Sequence, residues 1–396
     1  MTDPQTSFRD LLAPITPETF FEQYYGREPV HIPGDAQKFT GLFGWDAFNG
    51  LVNKTTLWSD HTLKMVLDGR NLTADEYCRS GRNRDGGQIM RPDHAMVSQL
   101  MEQGATVVLD LVDRLDPGLA AAAAALGVAT GTRTSCNVYC SFDQKPAFNS
   151  HFDTMDVFAL QIEGNKAWNV YEGRFEHPVN AEGYEYPSFG QDHHDQAKGD
   201  VLQHVEMAPG DLLYVPRGQY HDALASSEAS LHASFGLTQA TGLDFLAITL
   251  RSLTDVSVFR EALPGFDDVD AHNAHIRILA DRLQEILSDP EIAGQMRENQ
   301  RQRAYSELST LALPAADADV LFRVLGTGAG LDDQHNLKTA SGSRQLSEHD
   351  AALARWALGR DLFSWRALSE TFPESSPEDL GEGIATLTEA GLIDPI

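Results

Sequence analysis

The amino-acid sequence predicts an α+β fold whose core is a β-sandwich or barrel of the jelly-roll type, followed by helices. Its 396 residues are enough for two or three domains of roughly 100–200 residues each. Short extended segments fill the stretch from Cys136 to about residue 240, and no helical pattern interrupts them. After residue 240 the apolar residues recur with helical periodicity, which indicates that helices follow the β-rich core.

Composition and charge limit the class of protein. Hydrophobic residues make up 42% and charged residues 22% of the chain, so global disorder is excluded. The 58 acidic and 30 basic residues give a formal net charge of −28, which repels phosphate backbones and anionic lipid. Basic proteins or peptides are therefore the favoured macromolecular partners, and a coat that keeps the protein in solution is the alternative explanation.

The first 130 residues predict helices and one edge strand. Pro29 and Pro33 flank the short extended segment Val30-His31-Ile32, which suits the edge of a sheet. The stretch from Thr106 to Leu126 contains an alanine run and an apolar stripe, so it is predicted to be a packing helix. Gly127 is the expected residue just beyond its C-terminal end.

Seven extended segments predict the strands of the jelly roll, because each is short and bounded by turn residues. They are CNVYCSF, DVFALQIEG, KAWNVYEG, DVLQHVEM, DLLYVP, DALASS and SLHASFGL.

A long polar and aromatic loop, residues 173–199, interrupts these strands. Loops of this length in compact domains are typically functional lids or mobile surface segments. Within it, His193 and His194 lie beside Asp192 and Asp195. These four side chains suggest either a second metal site or, more simply, the polar tip of a lid.

The C-terminal part of the chain predicts two further domains. Apolar residues from Leu243 to Leu287 follow a helical period and have no obvious partner, so the helices either form a homodimer or pack as an intramolecular bundle. The last residues predict three helices and a short extended end, an order typical of a winged helix. The predicted domains are 1–240, 241–330 and 331–396.

Targeting and cysteine patterns predict a cytoplasmic protein. The N-terminal residues lack a cationic segment followed by an apolar one, and no apolar run reaches the roughly 18 residues that a membrane span needs. Cys136 and Cys140 lie four residues apart in a predicted strand, which separates them by about 13 Å. Buried free thiols are therefore expected.

The strongest chemical signal is a set of possible metal ligands. His151 and Asp153 are two residues apart, so on a strand both side chains face the same way. His221 follows a Pro-Arg-Gly turn after a later strand and is predicted to supply a third ligand. Two imidazoles and one carboxylate leave three positions of an octahedral metal open, as non-haem Fe(II) oxygenases require.

Other polar residues of the β-rich core are candidates for a binding pocket. Lys166 begins the strand after the His-x-Asp motif, where it can pair with a carboxylate of a bound diacid or form a surface charge. Asn137 and Tyr139 share one strand face and are predicted to face the pocket, although Tyr139 also suits the core. His232 and Ser234 alternate on the last strand, and either can complete the co-substrate site. Ser234 is the preferred candidate, because a core histidine bonded to backbone is the favoured role for His232.

These residues resemble a known family. The runs NVYCSF, FNSHFDTMDVFALQIEGNKAWNVYEG, APGDLLYVPRGQYHDA and SLHASFGL are similar to the JmjC-type ribosomal oxygenases, which are protein hydroxylases of the cupin superfamily. FFEQYYGREPVHIPG and LFGWDAF resemble the N-terminal part of the same family. The likeness covers most of the chain. It implies a double-stranded β-helix core, followed by a helical dimerisation region and a terminal winged helix in the same order.

The resemblance implies an Fe(II)- and 2-oxoglutarate-dependent dioxygenase that hydroxylates a basic protein, with a ribosomal protein as the expected substrate. His151, Asp153 and His221 match the metal ligands of the family. Lys166 matches the residue that pairs with the far carboxylate of 2-oxoglutarate. Asn137, Tyr139 and Ser234 fall on positions that line the pocket. Arginine hydroxylases of the family carry arginine in place of this lysine and histidine hydroxylases carry lysine, so the target residue stays open.

Three other functions compete with this hypothesis. The same oxygenase chemistry can act on a free amino acid or peptide natural product, with residues 173–199 as a lid. A non-catalytic cupin sensor with a winged-helix interaction module is the second. DNA binding by that module is disfavoured, because residues 331–396 contain 12 acidic and 5 basic residues. A zinc hydrolase is the third, and it leaves Lys166 and the Asn-x-Tyr pair without a role.

Overall fold

A computed structural model describes most of the chain. The described residues are 7–82, 85–142, 146–179, 189–225, 229–305, 320–325, 330–332, 334–339 and 342–395. The architecture is α+β, as predicted, and is built around antiparallel sheets.

The first 130 residues alternate short helices and strands. Proline or capping side chains begin several of these helices: Ser7 caps α1, Thr16 caps α2, and Pro117 is the first residue of α6. The elements are α1 (Phe8–Leu12), α2 (Pro17–Gln23), β1 (Val30–Ile32), α3 (Trp45–Val52), β2 (Leu63–Leu67), β3 (Arg70–Asn71), α4 (Ala74–Tyr77), β4 (Cys78–Arg82), β5 (Gln88–Pro92), α5 (His94–Glu102), β6 (Thr106–Leu109), a 3₁₀ turn (Val112–Arg114) and α6 (Pro117–Thr130).

The predicted helix from Thr106 to Leu126 is only partly correct. Residues 106–109 form strand β6, because the run Thr-Val-Val is β-branched and pairs with β2 on one side and β7 on the other. Helix α6 begins at Pro117 and passes through Gly127. It ends at Gly131, whose φ of 67° is the left-handed conformation that closes a helix.

All seven segments predicted to be strands are strands, and an eighth carries the first histidine of the His-x-Asp motif. The elements are β7 (Arg133–Phe142), β8 (Pro146–His151), β9 (Asp156–Glu163), β10 (Lys166–Arg174), α7 (Gln191–Ala197), β11 (Val201–Met207), β12 (Leu212–Val215), β13 (Gln219–Ala225) and β14 (Ala229–Thr238).

Two sheets share these strands. The larger has the order β1-β12-β9-β14-β7-β6-β2-β3, and the smaller has the order β11-β10-β13-β8. The predicted edge strand Val30–Ile32 is confirmed as β1, which pairs with β12 at the edge of the larger sheet. This pairing joins the N-terminal part to the jelly-roll strands.

The two faces of the larger sheet bury different sets of residues. On one face, Phe158 and Tyr214 pack against Phe20 and the other N-terminal side chains of the main core. On the other face, Ala159 and Leu213 pack with residues of the smaller sheet, including Trp168. Strands β9 and β12 are buried on both faces for this reason, and their sequences are almost continuously apolar.

Three helices follow the jelly roll, as the periodicity predicted. They are α8 (Gly242–Leu253), α9 (Val269–Leu287) and α10 (Pro290–Tyr305), with a 3₁₀ turn (Ser257–Arg260) between the first two. An ion pair of 2.6 Å between Arg303 and Asp244 joins α10 to α8, and α10 also contacts α6. Leu243, Leu246 and Leu250 of α8 are each about half exposed or more.

The C-terminal residues have a hydrophobic core of their own, which includes Phe322, Phe363, Leu368 and Leu387. Phe322 therefore packs with this unit although it precedes residue 331. The elements are β15 (Leu321–Val324), β16 (Gly330–Leu331), β17 (Asn336–Thr339), β18 (Gly342–Gln345), α11 (Glu348–Leu358), β19 (Leu362–Ser364), α12 (Trp365–Thr371), α13 (Pro377–Glu389) and β20 (Ile393–Pro395).

Three further expectations can be compared with the structure. The three cysteines, Cys78, Cys136 and Cys140, are free and buried. In the described part of the chain, no helix is both long enough and apolar enough to span a membrane. The predicted loop 173–199 begins with the end of β10 and includes α7, and its residues 180–188 lie outside the described residues.

Candidate metal centre

The site is built where two strands of the smaller sheet end. His151 is the last residue of β8, and it lies directly opposite His221 in the β8–β13 register. The centroids of the two imidazole rings are 4.6 Å apart. Residues directly opposite each other in an antiparallel pair project to the same face, so the sheet register brings the two imidazoles together.

Asp153 reaches the same point from a loop and not from the strand face that the sequence suggested. β8 ends at His151, and the Asp153 carbonyl accepts a hydrogen bond of 2.8 Å from the Gly218 amide. That bond ties the loop to the turn before β13. The Asp153 carboxylate lies 3.5 Å from His221 Nε2.

Hydrogen bonds to the backbone orient both imidazoles. Nδ1 of His151 lies 2.8 Å from the Asn149 carbonyl oxygen, and Nδ1 of His221 lies 3.0 Å from the Gln219 carbonyl oxygen. A carbonyl can only accept, so each Nδ1 carries the proton and Nε2 is left as the electron-pair donor. Metal-binding histidines are commonly held by such a second hydrogen bond.

The donor set fits a divalent metal ion. One ligand atom from each of His151, Asp153 and His221 lies within 4.8 Å of the other two. Burial, together with the neighbouring His151, lowers the pKa of His221, which keeps its imidazole in the neutral form that binds metal. Two nitrogens and one carboxylate oxygen suit Fe(II), and they also suit other first-row metals.

A cavity of about 270 Å³ opens beside the three ligands, and Lys166 forms part of its wall. The sequence allowed Lys166 to be either a surface charge or a pocket residue. The structure excludes the surface charge, since the residue is only 2% exposed. Burial lowers the pKa of Lys166 to about 7, and the nearby Cys140 opposes that shift.

Further predicted residues line the same cavity. Tyr139 and Ser234 are both among them, and so is His232. The rings of Tyr139 and His232 are stacked, with centroids 4.7 Å apart. Burial raises the pKa of the Tyr139 phenol, with a smaller contribution from Asp153. Asn137 instead lines a neighbouring cavity that shares Tyr139 with the first, and its Oδ1 accepts a hydrogen bond of 3.0 Å from the Leu111 amide.

Sequence reasoning missed Trp168 as a cavity residue and favoured a different role for His232. Trp168 lines the cavity two residues after Lys166 on β10, so the period of two along a strand contained the signal. A core histidine bonded to backbone was the favoured interpretation of His232, and a place in the co-substrate site was the alternative. His232 lies instead beside the Lys166 ammonium, with 3.4 Å between Nδ1 and Nζ.

The histidines of the long loop lie on α7 and have other partners. His193 stacks on Phe189, and His194 Nδ1 lies 3.2 Å from the Tyr220 hydroxyl. Asp195 accepts hydrogen bonds from Ser150, Gln191 and Lys198. Over the residues that the structure describes, His151, Asp153 and His221 are the only three such side chains close enough to share an ion. The alternative of a second metal site here is therefore wrong within that part of the chain.

Comparison with known proteins adds three findings. Residues 121–245 match the family model described as the JmjC domain. The chain is 27% identical over 296 residues to ribosomal oxygenase 1 of Gallus gallus, covering 71% of this chain and 47% of that protein. It is 29% identical over 266 residues to ribosomal oxygenase 1 of Homo sapiens, covering 65% of this chain and 39% of that protein. The chain thus spans less than half the length of these relatives.

A solved structure of ycfD from E. coli shares the fold. The TM-score is 0.51 at 15% identity, and the alignment covers 96% of this chain and 98% of the other. The likeness therefore extends beyond the JmjC match, over the N-terminal elements and the C-terminal ones.

Proposed function

Because the chain is a JmjC-domain protein of the cupin superfamily, related to the ribosomal oxygenases, we propose that it is an Fe(II)- and 2-oxoglutarate-dependent dioxygenase. Its substrate is a side chain of a basic protein, with a ribosomal protein preferred. One observation carries the proposal: His151, Asp153 and His221 meet at the wall of a cavity that also contains a buried lysine.

Each residue has a role in this proposal. His151, Asp153 and His221 hold Fe(II), which when bound supplies the activation of O₂ needed to hydroxylate a C–H bond. Lys166 binds the far carboxylate of 2-oxoglutarate. Tyr139 and Ser234 shape the pocket around that co-substrate, and Asn137 holds the Leu111 backbone at the neighbouring cavity.

The charge of the chain supports a cationic protein substrate. A net charge of −28 attracts basic proteins and repels nucleic acid. The hydroxylated residue is an arginine or a histidine, and the same chemistry on a free amino acid or peptide natural product is the alternative. A protein substrate and a small-molecule substrate are distinguished by which of them stimulates consumption of 2-oxoglutarate.

In this proposal the chain is divided into three domains. Residues 1–240 form the oxygenase domain, 241–330 a helical dimerisation domain and 331–396 a winged-helix-like domain. The order α11, β19, α12, α13 and β20 and the separate hydrophobic core support the last of these. Glu378, Asp379 and Glu382 lie exposed on α13, which favours contact with protein over contact with DNA.

The test is turnover with a matched inactive variant. Purified protein is supplied with Fe(II), 2-oxoglutarate and either a set of ribosomal proteins or free amino acids. We expect succinate to form with a basic protein, and mass spectrometry to find one added oxygen atom on that protein. Asp153→Ala should abolish both signals, because two imidazoles alone bind the metal weakly.

Two results would contradict the proposal. One is an absence of succinate with every substrate under conditions where a known 2-oxoglutarate oxygenase is active. The other is equal turnover by the wild type and Asp153→Ala. Turnover with free amino acids alone would keep the chemistry and replace the protein substrate by a small molecule.

A further inference from the structure

The Lys166 ammonium is surrounded by groups that do not neutralise it. Its Nζ lies 3.4 Å from His232 Nδ1, and 5.9 Å and 6.0 Å from the ring centroids of Tyr139 and Trp168. Among the described residues, none of the carboxylates forms an ion pair with it. A buried cation without a counter-charge is costly, so this wall of the cavity suits an anionic ligand.

His232 is placed to direct that ammonium. It is 3% exposed, it stacks on Tyr139, and its ring lies edge-on to Trp168 with centroids 5.7 Å apart. Burial holds the pKa of His232 well below its usual range, so the imidazole is neutral and its Nδ1 can accept. A lysine ammonium has three N–H groups. One donated to His232 fixes the directions of the other two.

Trp168 supplies a second, independent sign of a missing acceptor. The residue is 5% exposed and lines the cavity, and within the described part of the chain its indole Nε1–H has no hydrogen-bond partner. A buried donor without an acceptor is destabilising, because it has lost its hydrogen bond to water. A ligand oxygen in the cavity would remove that cost.

We propose that Lys166, His232 and Trp168 form one carboxylate pocket, in which His232 positions the ammonium and Trp168 donates its indole N–H to the bound anion. The inference rests on the proposed function, because the anion is taken to be the far carboxylate of 2-oxoglutarate. A carboxylate has enough lone pairs to accept two ammonium N–H groups and one indole N–H at once.

The pocket gives His232 a role in co-substrate selection. Without the imidazole the ammonium keeps its charge but loses the acceptor that aims it. Binding of a diacid should then weaken, whereas binding of a keto acid without the far carboxylate should not change. A histidine that only fills the core would affect both ligands alike when removed.

The experiment compares two ligands by isothermal titration calorimetry on the full chain loaded with Mn(II) under anaerobic conditions. The ligands are 2-oxoglutarate and 2-oxobutyrate, which lacks the far carboxylate. His232→Leu is expected to raise the Kd for 2-oxoglutarate about tenfold or more and to leave 2-oxobutyrate within about twofold. His232→Gln should recover most of the loss, because its amide oxygen can accept from Lys166.

Two further variants complete the design. Trp168→Phe keeps the ring and removes the N–H, and should weaken 2-oxoglutarate about threefold to tenfold. His204→Leu removes a histidine from the exposed side of β11 and should change neither ligand.

The possible failures are distinguishable. An unchanged Kd for 2-oxoglutarate in His232→Leu, or equal weakening of both ligands, would overturn the carboxylate pocket. A wild-type protein that binds neither ligand would overturn the proposed function itself.

Discussion

Burial lowers the pKa of Lys166 to about 7. If Lys166 binds the far carboxylate of 2-oxoglutarate, as we propose, the pH should control that binding. Below about pH 7 the ammonium is already present, and affinity for 2-oxoglutarate should be independent of pH. Above that pH the empty protein has lost the proton, and binding must take one up. The affinity should then fall by up to about tenfold per pH unit, until the raised pKa of the bound state is reached.

The measurement is the Kd for 2-oxoglutarate from about pH 6 to about pH 9, with proton uptake followed in buffers of different ionisation enthalpy. Other groups near the ammonium stay neutral in that range. Burial raises the pKa of Cys140 to about 12 and also raises that of Tyr139, while His232 is held below its usual pKa. Lys166→Arg is the control, because a guanidinium stays charged. The same slope in that variant would contradict the assignment.

At the level of single residues, the sequence was sufficient to predict which side chains bind the metal. It was not sufficient to predict the backbone positions and contacts around those side chains. The types and spacing of His151, Asp153 and His221 were sufficient to predict that they meet. The position of Asp153 on a loop could not be predicted, because it depends on where β8 ends and on the Gly218 amide. Likewise, the Lys166–His232 contact joins β10 of the smaller sheet to β14 of the larger sheet. Because the two strands are not paired, no local sequence pattern predicts this contact.

At the scale of elements, the start of α6 gives a sharp test of packing. A Cβ added at Gly118 would overlap the carbonyl oxygen of Leu42, which is backbone and cannot move aside. Gly118→Ala should lower the free energy of unfolding by about 3 kcal/mol. Gly131→Ala meets no atom within 4 Å and has only its φ of 67° to overcome, so about 1 kcal/mol is expected. Urea unfolding measures both, and equal losses would contradict the argument.

The same region shows why helix limits were mispredicted. An apolar stripe in Thr106–Leu126 satisfies the helical period, but β6 gains hydrogen-bonded neighbours on both sides from strands distant in the sequence. Local signals for the true start were present, since Asp116 accepts hydrogen bonds from the amides of Gly118 and Leu119. Short strands bounded by turns were predicted well because β9 and β12 are buried on both faces and read as apolar runs.

At the scale of the whole molecule, the exposed apolar face of α8 allows the proposed dimerisation to be tested. Leu243, Leu246 and Leu250 recur at helical spacing, and their exposures are 50%, 47% and 65%. If this face is the dimer interface, Leu246→Glu should convert a dimer to a monomer in light scattering coupled to size-exclusion chromatography. Val201→Glu, at an exposed apolar residue of β11, is the control and should keep the wild-type mass. A monomeric wild type would leave the helices as an intramolecular bundle.

The net charge of −28 either attracts a basic substrate over a distance or only keeps the protein in solution. The dependence of kcat/KM on salt concentration distinguishes these two roles. Attraction between the whole acidic surface and a basic protein acts over the Debye length, about 10 Å at 0.1 M salt and about 3 Å at 1 M. If the field guides the substrate, kcat/KM for a basic ribosomal protein should fall about tenfold between these salt concentrations, mainly through KM. In the proposed function, turnover of 2-oxoglutarate without protein substrate takes place in the cavity beside the metal ligands and should change little with salt. It therefore reports any general effect of salt on the protein. A kcat/KM that is independent of salt would mean that recognition depends on short-range contacts at the cavity and that the acidic surface serves another purpose.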